Sequence, residues 1–553
     1  MADSTPPTAP PAAVPTRKRP RTSPGPPARV APAPPAPLPA DSSSSSSAAP
    51  ALPAHPAPPS APNAPLGSLP LHPPQHYTSL AARSPAAAAF QLPLHLTSFS
   101  YSPTRELLLD QQRKDEALAV YREPRMGSDL NYGFEQATWR DGSVDEGLDA
   151  LLDTLSNFAA TNPNPPAAAD LLSKLNAVTW RGMLTKLMLG VYETENVAQG
   201  RRGDGWEMNA MLVDGCLYLE ESNPPAKLAA KAASESSYAL QSYYGYSFES
   251  YCTQPPPSRL PPHTPPPAFE PPNTNVQWCS VVKTNLGGFR TVVGGEVDCV
   301  RPGAEVGKIG TRDFVELKTN MVIQSQRDEV NFERQKLLKH YVQSFLLGVP
   351  TVTVGFRTRQ GQLTGLQHFN TLEVPRLVRN KPHAWDPQAC LASARELLSF
   401  IHHTLSTHPA SQAAECSLFT PSTPPSSPSF KESAPLPPYP VFRLSFSPST
   451  GLSIRELIPQ EVQDEVLAGK KVEERCGFLL SRWVREVRER RRAAKEREAA
   501  NPPSSAAPAP PSATNPPHTG GRRVPPPPPP PPPQQAPPLG PAGGGGGVAG
   551  LKR

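Results

Sequence analysis

The stretch GEVD at residues 295–298 is followed, about twenty residues later, by VELK at 315–318. In an extended strand, residues i and i+2 point to the same face. The two acidic residues of the first stretch are therefore predicted to project together, while the valine between them and Cys299 enter the core. The second stretch alternates in the same way, so Glu316 and Lys318 share a face. If the two strands are neighbours, three carboxylates and one ammonium group converge.

Such a cluster has two interpretations. Like-charged carboxylates repel one another, so a converging set usually binds a hard divalent cation, and oxygen ligands suit magnesium or manganese. A lysine beside the metal can stabilise the charge that develops on the phosphoryl group or orient the attacking water, as metal-assisted phosphodiester hydrolysis requires. Two charged strands at a solvated sheet edge would give the same letters. The letters alone leave both interpretations open.

The surrounding sequence predicts a mixed β-sheet core flanked by helices, which is an α+β fold. Short β-branched or apolar runs punctuated by glycine predict strands at 276–282, 291–293, 295–300, 314–319, 351–356 and 441–446. Apolar residues at helical spacing predict helices over 144–158, 227–251 and 391–403, and 180–188 are predicted to form another short element. A further helix is predicted over 331–347, closed by Gly348 and stopped by Pro350.

Proline content divides the chain into segments. The 78 prolines cluster in 1–75, 254–272, 407–440 and 501–541, which bury too little apolar surface to offset their ordering entropy. Residues 1–90 and 499–553 are therefore predicted to be disordered tails. Residues 91–457 are predicted to form one catalytic domain with proline-rich surface insertions at 254–272 and 407–440. The segment 458–498 is rich in Glu, Arg and Lys and predicts an exposed charged helix, either simply solvated or in contact with RNA or a partner.

Charge and cysteine content restrict the cellular setting. The formal net charge of +6 permits a polyanionic partner without demanding one. Seven cysteines without a CxxC pair argue against a zinc site or a disulfide framework and favour a reducing compartment. No apolar run approaches about 18 residues and there is no secretory leader, so no membrane association is expected. The basic cluster at 17–21 predicts nuclear import, although a solubilising role would suit it too.

Three further features add groups that suit phosphate chemistry. Glu249 follows an aromatic stripe and is a candidate fourth acidic ligand. The guanidinium of Arg181, in the sequence TWRG, has the bidentate geometry that suits phosphate. Gln343 lies on the polar face of the helix predicted over 331–347. Each of these residues, taken alone, is more often a surface or capping residue.

Five motifs stand in the same order as in a known family. They are TWRG at 179–182, GYSFE at 245–249, GEVD at 295–298, VELKT at 315–319 and QSFLLGVP at 343–350. This series resembles that of the decapping nuclease family, which includes animal DXO and the fungal protein that partners the nuclear 5′–3′ exoribonuclease Rat. The similarity runs from about residue 95 to 405. Five motifs in the same order argue against a chance similarity. They also argue against the interpretation of the acidic cluster as two charged strands at a solvated sheet edge.

The resemblance implies roles for individual residues. The implied metal ligands are the carboxylates of Glu249, Glu296, Asp298 and Glu316 and the backbone carbonyl of Leu317. Lys318 and Gln343 are implied to lie at the scissile phosphate and the attacking water, and Glu296 to contact the substrate with them. The remaining implied substrate contacts are Trp180, Arg181 and Gly182 at the RNA 5′ end and, on weaker local similarity, Arg105, Glu146 and Cys279 in the channel. The chain departs from its relatives at 140–142, where Arg-Asp-Gly replaces Arg-Asp-Glu, so a different substrate mouth is expected.

The resemblance also implies a fold and a reaction. Family members resemble D-(E/D)xK nucleases of the restriction type, with the active site in a deep pocket. The implied reactions are removal of pyrophosphate from 5′-triphosphate RNA, of incompletely methylated caps and of 5′ NAD caps. One metal-activated water attacking the first internal phosphate would explain them all, because only the leaving group varies.

Two other functions remain open at this point. One is a binding subunit whose main role is to stabilise the exoribonuclease, a role that the fungal relatives imply can coexist with catalysis. The other is a DNA-directed nuclease that shares the same metal chemistry. The intact acidic and lysine residues favour an enzyme, and the motif order favours RNA, through the resemblance alone.

Overall fold

The computed structural model describes residues 64–256, 259, 265–305, 307–416 and 436–500. The first half of the described chain contains strands β1 Gly67–Leu69, β2 Phe90–Tyr101, β3 Leu107–Leu108, β4 Val120–Tyr121, β5 Ala177–Trp180, β6 Trp206–Val213, β7 Cys216–Glu221 and β8 Thr253–Gln254. The second half contains β9 Gln277–Leu286, β10 Phe289–Glu296, β11 Cys299–Val300, β12 Phe314–Met321, β13 Thr351–Arg357, β14 Leu363–Asn370, β15 Phe442–Ser447, β16 Gly451–Glu456, β17 Arg475–Cys476 and β18 Leu479–Leu480.

Helices flank these strands. They are α1 Pro74–Arg83, α2 Gln111–Asp115, α3 Asp149–Thr161, α4 Pro165–Ser173, α5 Arg181–Ala198, α6 Pro225–Cys252, α7 Gln326–Asn331, α8 Leu338–Leu347, α9 Val374–Val378, α10 Pro387–Thr407, α11 Pro409–Cys416, α12 Pro459–Glu461 and α13 Ser481–Ala500. A π-helical stretch, Phe332–Leu337, joins α7 to α8 into one helical run.

Among the described residues, most strands belong to two sheets. The larger has the order β1-β16-β15-β6-β7-β5-β10-β9-β2-β3, and the smaller has the order β14-β13-β12-β11-β4-β8. Parallel pairs, such as β5 with β10 and β12 with β13, lie beside antiparallel ones in both sheets. This mixture confirms the predicted α+β class.

The chain crosses from the larger to the smaller sheet between β10 and β11. β10 ends at Glu296 and β11 begins at Cys299. Val297 is 3% exposed and Cys299 is fully buried, so both enter the core as the alternation predicts. β11 then pairs antiparallel with β12, with Cys299 opposite Val315. The two acidic stretches are therefore neighbours in the fold.

Two buried clusters hold the site region in place. The main core joins α5, α8 and α10 to the larger sheet, and Leu184, Leu187 and Val191 of α5 are fully buried in it. A smaller cluster packs Phe248 of α6 against Leu317 of β12. Burial of such side chains stabilises the folded state by roughly 1.5–3 kcal/mol each. The helix that precedes Glu249 is thus fixed to the strand that carries Lys318.

Most predicted elements are present with shifted ends. The helix predicted over 227–251 is α6, and the one predicted over 331–347 is the run from Gln326 to Leu347. Gly348 closes this run with a φ of 72°, a left-handed conformation that glycine adopts without strain. The strands predicted at 276–282, 314–319, 351–356 and 441–446 are β9, β12, β13 and β15.

The predicted N-terminal boundary at residue 90 is wrong. The described residues of this segment include β1, which pairs with β16, and α1, which packs on α10. Tyr77 of α1 is fully buried, and its hydroxyl donates to Glu396. The Ala/Pro-rich composition concealed the helix, because its stability comes from packing against residues more than 300 positions away.

The predicted single charged helix over 458–498 is also wrong. The segment contains α12, the short hairpin of β17 and β18, and only then α13. Helix α13 is not simply solvated, since Trp483, Val484 and Val487 are buried in the core. The many charged residues of the segment hid this narrow apolar stripe.

The proline-rich insertion 254–272 is less peripheral than expected. Pro255 and Pro256 are buried, and the carbonyls of Pro267 and Ala268 accept hydrogen bonds from Arg122. In the insertion 407–440, helix α11 is present, whereas 417–435 lie outside the described residues. The basic cluster at 17–21 and most of the two predicted tails lie outside them as well. Within the described part of the chain, no helix combines the length and apolar character needed to cross a membrane.

Candidate active site at the junction of the two sheets

The junction between β10, β11 and β12 collects charged groups. Oδ2 of Asp298 accepts a 2.6 Å hydrogen bond from the backbone N–H of Leu317 and lies 3.5 Å from Nζ of Lys318. Nζ of Lys318 lies 2.7 Å from Oε1 of Glu316 and donates to the carbonyl of Leu317 at 2.9 Å. The predicted convergence of these residues is therefore present in the fold.

Arg181 approaches the same carboxylate from its other side. It is the first residue of α5, and its Nη1 lies 2.9 Å from Oε2 of Glu316, which is fully buried. Burial opposes ionisation of Glu316, but Arg181 and Lys318 outweigh it and lower its pKa to about 2. Glu316 therefore stays ionised at any physiological pH, with one cation at each oxygen.

The pKa values of the other acidic residues are raised, in contrast to the lowered pKa of Glu316. Burial, followed by repulsion from Asp298 and Glu296, holds the pKa of the Glu249 carboxyl well above its usual range. Burial and the neighbouring Asp298 raise the pKa of Glu296 to about 7. Glu249, Glu296 and Asp298 all line one cavity of about 470 Å³. Without a bound cation these carboxyls therefore hold their protons more tightly than exposed carboxyls do, because nearby cations do not offset burial and mutual repulsion.

This donor set fits a hard divalent cation. Oxygen ligands from carboxylates suit Mg²⁺ or Mn²⁺, and a cation would relieve the repulsion that raises the pKa values of Glu249 and Glu296. In the described part of the chain, however, no three His, Cys, Asp or Glu side chains converge into a ready-made cation site. Glu316 is engaged by Arg181 and Lys318, and Asp298 by the Leu317 amide, so metal binding requires small side-chain rearrangements.

A second network leads from the acidic cluster toward the cavity mouth. Gln277 donates from Nε2 to Glu296 at 3.0 Å and accepts from Arg105 at 2.7 Å. Arg105 in turn forms a bidentate pair with Glu146, at 2.8 and 2.7 Å, and lies over the ring of Tyr101. Three residues with predicted roles, Arg105, Glu146 and Glu296, are therefore connected through Gln277.

Gln277 was not among the predicted site residues, although a signal for it exists. It lies two positions before Cys279 on β9, so the two side chains share a face of the strand. Cys279 itself is opposite Glu296 in the pairing of β9 with β10. Burial, followed by repulsion from Glu296, raises the pKa of the Cys279 thiol, which favours the neutral form beside the cavity.

The predicted substrate contacts at 180–182 lie at the start of α5. Nε1 of Trp180 donates to the carbonyl of Gly147 at 2.7 Å. A Cβ at Gly294 would lie only 2.8 Å from the ring of Trp180, so the absence of a side chain on β10 makes room for that ring. A Cβ at Gly182 would meet nothing within 4 Å, which leaves the backbone there open to a ligand.

Gln343 lies on α8, the helix that packs against β10. It is half-buried on α8, and Leu347, one turn later, packs so closely on Gly295 that a Cβ there would lie 2.6 Å from it. Residues four apart share one face of a helix, so Gln343 is directed toward the end of β10.

The C-terminal segment stabilises the loop that carries Glu146. Lys470, with a side chain only 6% exposed, lies 2.8 Å from Asp145, and Arg475 forms a bidentate pair with Asp149. The loop between these two contacts supplies both Glu146 and the Gly147 carbonyl that holds Trp180. Nothing in the local sequence indicated this long-range support.

Two adjoining mixed sheets meet where carboxylates, a lysine and an arginine converge, and three of the carboxylates line a cavity beside this junction. This arrangement is typical of the active site of a metal-dependent nuclease. Comparison with known proteins agrees with this class. Residues 91–467 match the family model described as RAI1 like PD-(D/E)XK nuclease. Since the match covers well over half of the chain, the protein belongs to the RAI1-like PD-(D/E)XK nuclease family.

Curated relatives and solved structures extend this comparison. The chain is 34% identical to the decapping nuclease RAI1 of Mycosarcoma maydis over 467 residues, covering 74% of this chain and 90% of the relative. It is 34% identical to the mouse decapping and exoribonuclease protein, covering 62% and 82%. Rai1 of Scheffersomyces stipitis, crystallised with 3′-NADP⁺ and calcium, shares the fold with a TM-score of 0.55 at 24% identity, covering 73% of this chain and 96% of that one.

These comparisons confirm several predictions. The chain is an enzyme, a hydrolase of the nuclease class, and its family is that of the decapping nucleases. Nucleases of the PD-(D/E)XK class use divalent metals, which confirms the predicted kind of cofactor. The roles assigned to individual site residues remain predictions. Of these residues, Glu249, Glu296 and Asp298 line the cavity, while Glu316, Lys318 and Arg181 contact one another beside Asp298.

Proposed function

We propose that this chain hydrolyses the 5′ ends of RNA, releasing pyrophosphate from 5′-triphosphate RNA and removing incompletely methylated caps and 5′ NAD caps. The observation that carries the proposal is the position of Lys318 between Asp298 and Glu316, with Arg181 on the far side of Glu316. Two cations and several carboxylates at one junction are the groups needed to bind and hydrolyse a phosphate ester. The name decapping nuclease, carried by relatives such as that of Mycosarcoma maydis, supports the choice of RNA 5′ ends.

The chain's own residues would divide the reaction between them. A divalent metal held by Glu249, Glu296, Asp298, Glu316 and the Leu317 carbonyl would polarise the phosphate and lower the pKa of water. Burial opposes protonation of Lys318, but Asp298 and Glu316 raise its pKa above the usual range, so it stays charged beside the phosphate. Arg181 can offer a planar guanidinium to the phosphate oxygens. Gln343 is directed toward the same point and can orient the attacking water.

One reaction accounts for every proposed substrate. The oxygen of a water molecule bonds to the phosphorus that remains on the RNA, the bond from that phosphorus to the leaving oxygen breaks, and RNA with a 5′ monophosphate results. The leaving group is pyrophosphate or the excised cap structure; its oxygen keeps the electron pair of the broken bond, and the proton lost by the attacking water passes to it or to the solvent. The attacked phosphate is therefore the same in every substrate, and the substrates differ in the leaving group that the cavity mouth must accept.

A panel of three matched RNAs tests this function. They carry a 5′ triphosphate, an unmethylated cap or a 5′ NAD, and each is incubated with Mg²⁺ or Mn²⁺. Wild-type protein should release the 5′ group, and a Glu296→Gln/Asp298→Asn variant should not. A folded wild-type protein that leaves all three RNAs intact would refute the enzymatic proposal and favour a role as a binding subunit.

We also propose a nuclear location and binding to a 5′–3′ exoribonuclease. The cluster Arg17-Lys18-Arg19-Pro20-Arg21 supports the first, because compact basic runs act as import signals. The family resemblance supports the second. Alanine substitution of the four basic residues should move a fluorescent fusion out of the nucleus. Purified exoribonuclease should co-elute with the chain, and separate elution at micromolar concentration would refute the partnership.

A further inference from the structure

An aromatic cluster lies beside the cavity and has no part in the chemistry described above. It consists of Phe134, Trp139, Tyr243 and Tyr246, here called the rim cluster. The ring of Trp139 lies 5.9 Å from that of Tyr246 and 6.3 Å from that of Tyr243, and Phe134 lies 5.1 Å from Tyr243. These contacts are edge-on, the geometry in which aromatic rings attract one another.

One residue of the rim cluster is fully buried, and two others are partly exposed. Tyr243 is fully buried and donates its hydroxyl to the carbonyl of Tyr132 at 2.5 Å. Trp139 is 44% exposed and Tyr246 is 38% exposed. Partly exposed rings lose part of the free energy that burial would contribute. The contact with the buried Tyr243 nevertheless holds the ring of Trp139 in a fixed orientation. A rigid, partly exposed aromatic surface of this kind suits stacking on another flat group.

The rim cluster is continuous with the candidate active site. Tyr246 lines the same cavity as Glu249, which lies one helical turn further along α6. Thr138 exchanges backbone hydrogen bonds with Pro272 and Thr274, and both of those residues line the cavity. Trp139 is the next residue after Thr138, so its ring stands at the cavity edge.

The cavity mouth beside the rim cluster also carries positive charge. Arg113, Arg122 and Arg259 all contribute to the lining. Among the residues that the structure describes, Arg113 and Arg259 each form an exposed, long ion pair, at 3.3 Å to Glu106 and 3.4 Å to Glu270. Exposed pairs of this kind contribute little to stability, so phosphate groups can compete for the arginines. Aromatic rings together with arginines match the bases and the backbone of single-stranded nucleic acid.

We propose that Trp139 and Tyr246 form a stacking site for the bases of substrate RNA downstream of its 5′ nucleotide. The inference rests on the proposed function, because the acidic cluster must hold the 5′ end for the next nucleotides to reach the rim. The site recognises the flat face of a base, so it selects for single-stranded RNA of sufficient length and not for a particular sequence.

The test compares 5′-triphosphate RNAs of five and of two nucleotides. In Trp139→Ala and in Tyr246→Ala, the KM for the five-nucleotide RNA should rise about tenfold relative to the KM for the dinucleotide, because a lost stacking contact affects only the longer RNA. Trp139→Phe keeps an aromatic face and should largely restore the wild-type ratio. Leu372→Ala serves as the control, since Leu372 is an exposed apolar residue, at 58%, in the 3-10 turn Thr371–Glu373 and does not line the cavity.

Each outcome has a defined meaning. An unchanged ratio of the two KM values in Trp139→Ala, with an unchanged thermal unfolding midpoint, overturns the stacking site. If wild-type protein hydrolyses neither RNA, the proposed function fails, and binding of a fluorescent five-nucleotide RNA then decides the stacking site separately. Equal affinity of wild type and Trp139→Ala in that binding measurement overturns it, whereas a tenfold loss in the variant supports it.

Discussion

The guanidinium of Arg181 lies 2.9 Å from the buried carboxylate of Glu316. Lys318 contacts the other oxygen of that carboxylate, so Glu316 is held between two cations. The arrangement fixes the position of the Arg181 guanidinium. If Arg181 binds the substrate phosphate as the family resemblance implies, the same residue also sets the charge of Glu316, an implied metal ligand.

Replacing Arg181 by lysine should separate these two contributions. Arg181→Lys keeps the positive charge beside Glu316 but loses the planar, bidentate contact with phosphate. We expect kcat/KM on 5′-triphosphate RNA to fall by about 10–100-fold, which corresponds to roughly 1.4–2.8 kcal/mol. Affinity for Mn²⁺, measured by calorimetry, should change by less than about threefold. Arg202→Lys is the control, because Arg202 is 93% exposed. Equal rates for Arg181→Lys and wild type would contradict the phosphate role.

Adding one methyl group at Gly294 should displace Trp180. The new Cβ would lie 2.8 Å from the indole ring, which cannot shift without losing its hydrogen bond to the Gly147 carbonyl. We expect Gly294→Ala to raise KM and to lower the free energy of unfolding by about 1–3 kcal/mol, the usual cost of overpacking. Urea denaturation and steady-state kinetics measure the two effects. Gly310→Ala, where a Cβ meets nothing within 4 Å, should change neither.

How much of this arrangement the sequence predicts depends on whether the signal is local. The period of two in GEVD and VELK predicted which side chains converge, because alternation is a property of each strand alone. The hairpin of β6 and β7 was not predicted, since its residues are buried almost continuously and show no alternation. The helix of Tyr77 and the support of Asp145 by Lys470 were missed for another reason. Both depend on contacts between residues more than 300 positions apart.

Lys470 should affect both stability and substrate binding. Its ammonium lies between Asp145 and the buried Glu220, so Lys470→Met would leave two carboxylates without their cation. We expect a loss of about 3 kcal/mol in the free energy of unfolding, as is usual for breaking a buried pair. The KM should also rise, because Asp145 precedes Glu146 in the loop. A Lys470→Met/Asp145→Asn variant should recover part of the stability. Lys471→Met is the control, since its side chain is 73% exposed. Wild-type stability in Lys470→Met would contradict this account.

Glu220 should make stability depend on pH. Burial raises its pKa to about 7, well above the 4.5 of a glutamate in the unfolded chain. The folded state therefore holds the proton more tightly, and the stability contributed by protonation is present below pH 4.5 and lost as pH rises through 7. We expect the free energy of unfolding to fall by on the order of 2–3 kcal/mol across this window on account of Glu220.

Two variants isolate that effect. Glu220→Gln should reduce the difference in unfolding midpoint between pH 5.5 and pH 7.5, compared with wild type in the same buffers. Glu221→Gln should leave the difference unchanged, because the pKa of Glu221 is lowered and it is already ionised at both values. The same pH dependence in wild type and Glu220→Gln would show that another group titrates.

The most direct test of the central claim follows the oxygen of the attacking water. Wild-type protein and the Glu296→Gln/Asp298→Asn variant are incubated with 5′-triphosphate RNA and Mn²⁺ in ¹⁸O-labelled water, and the products are weighed by mass spectrometry. The account predicts one ¹⁸O atom in the 5′ monophosphate of the RNA and none in the released pyrophosphate, with no product from the variant. Label in the pyrophosphate, or equal turnover by the variant, would contradict it.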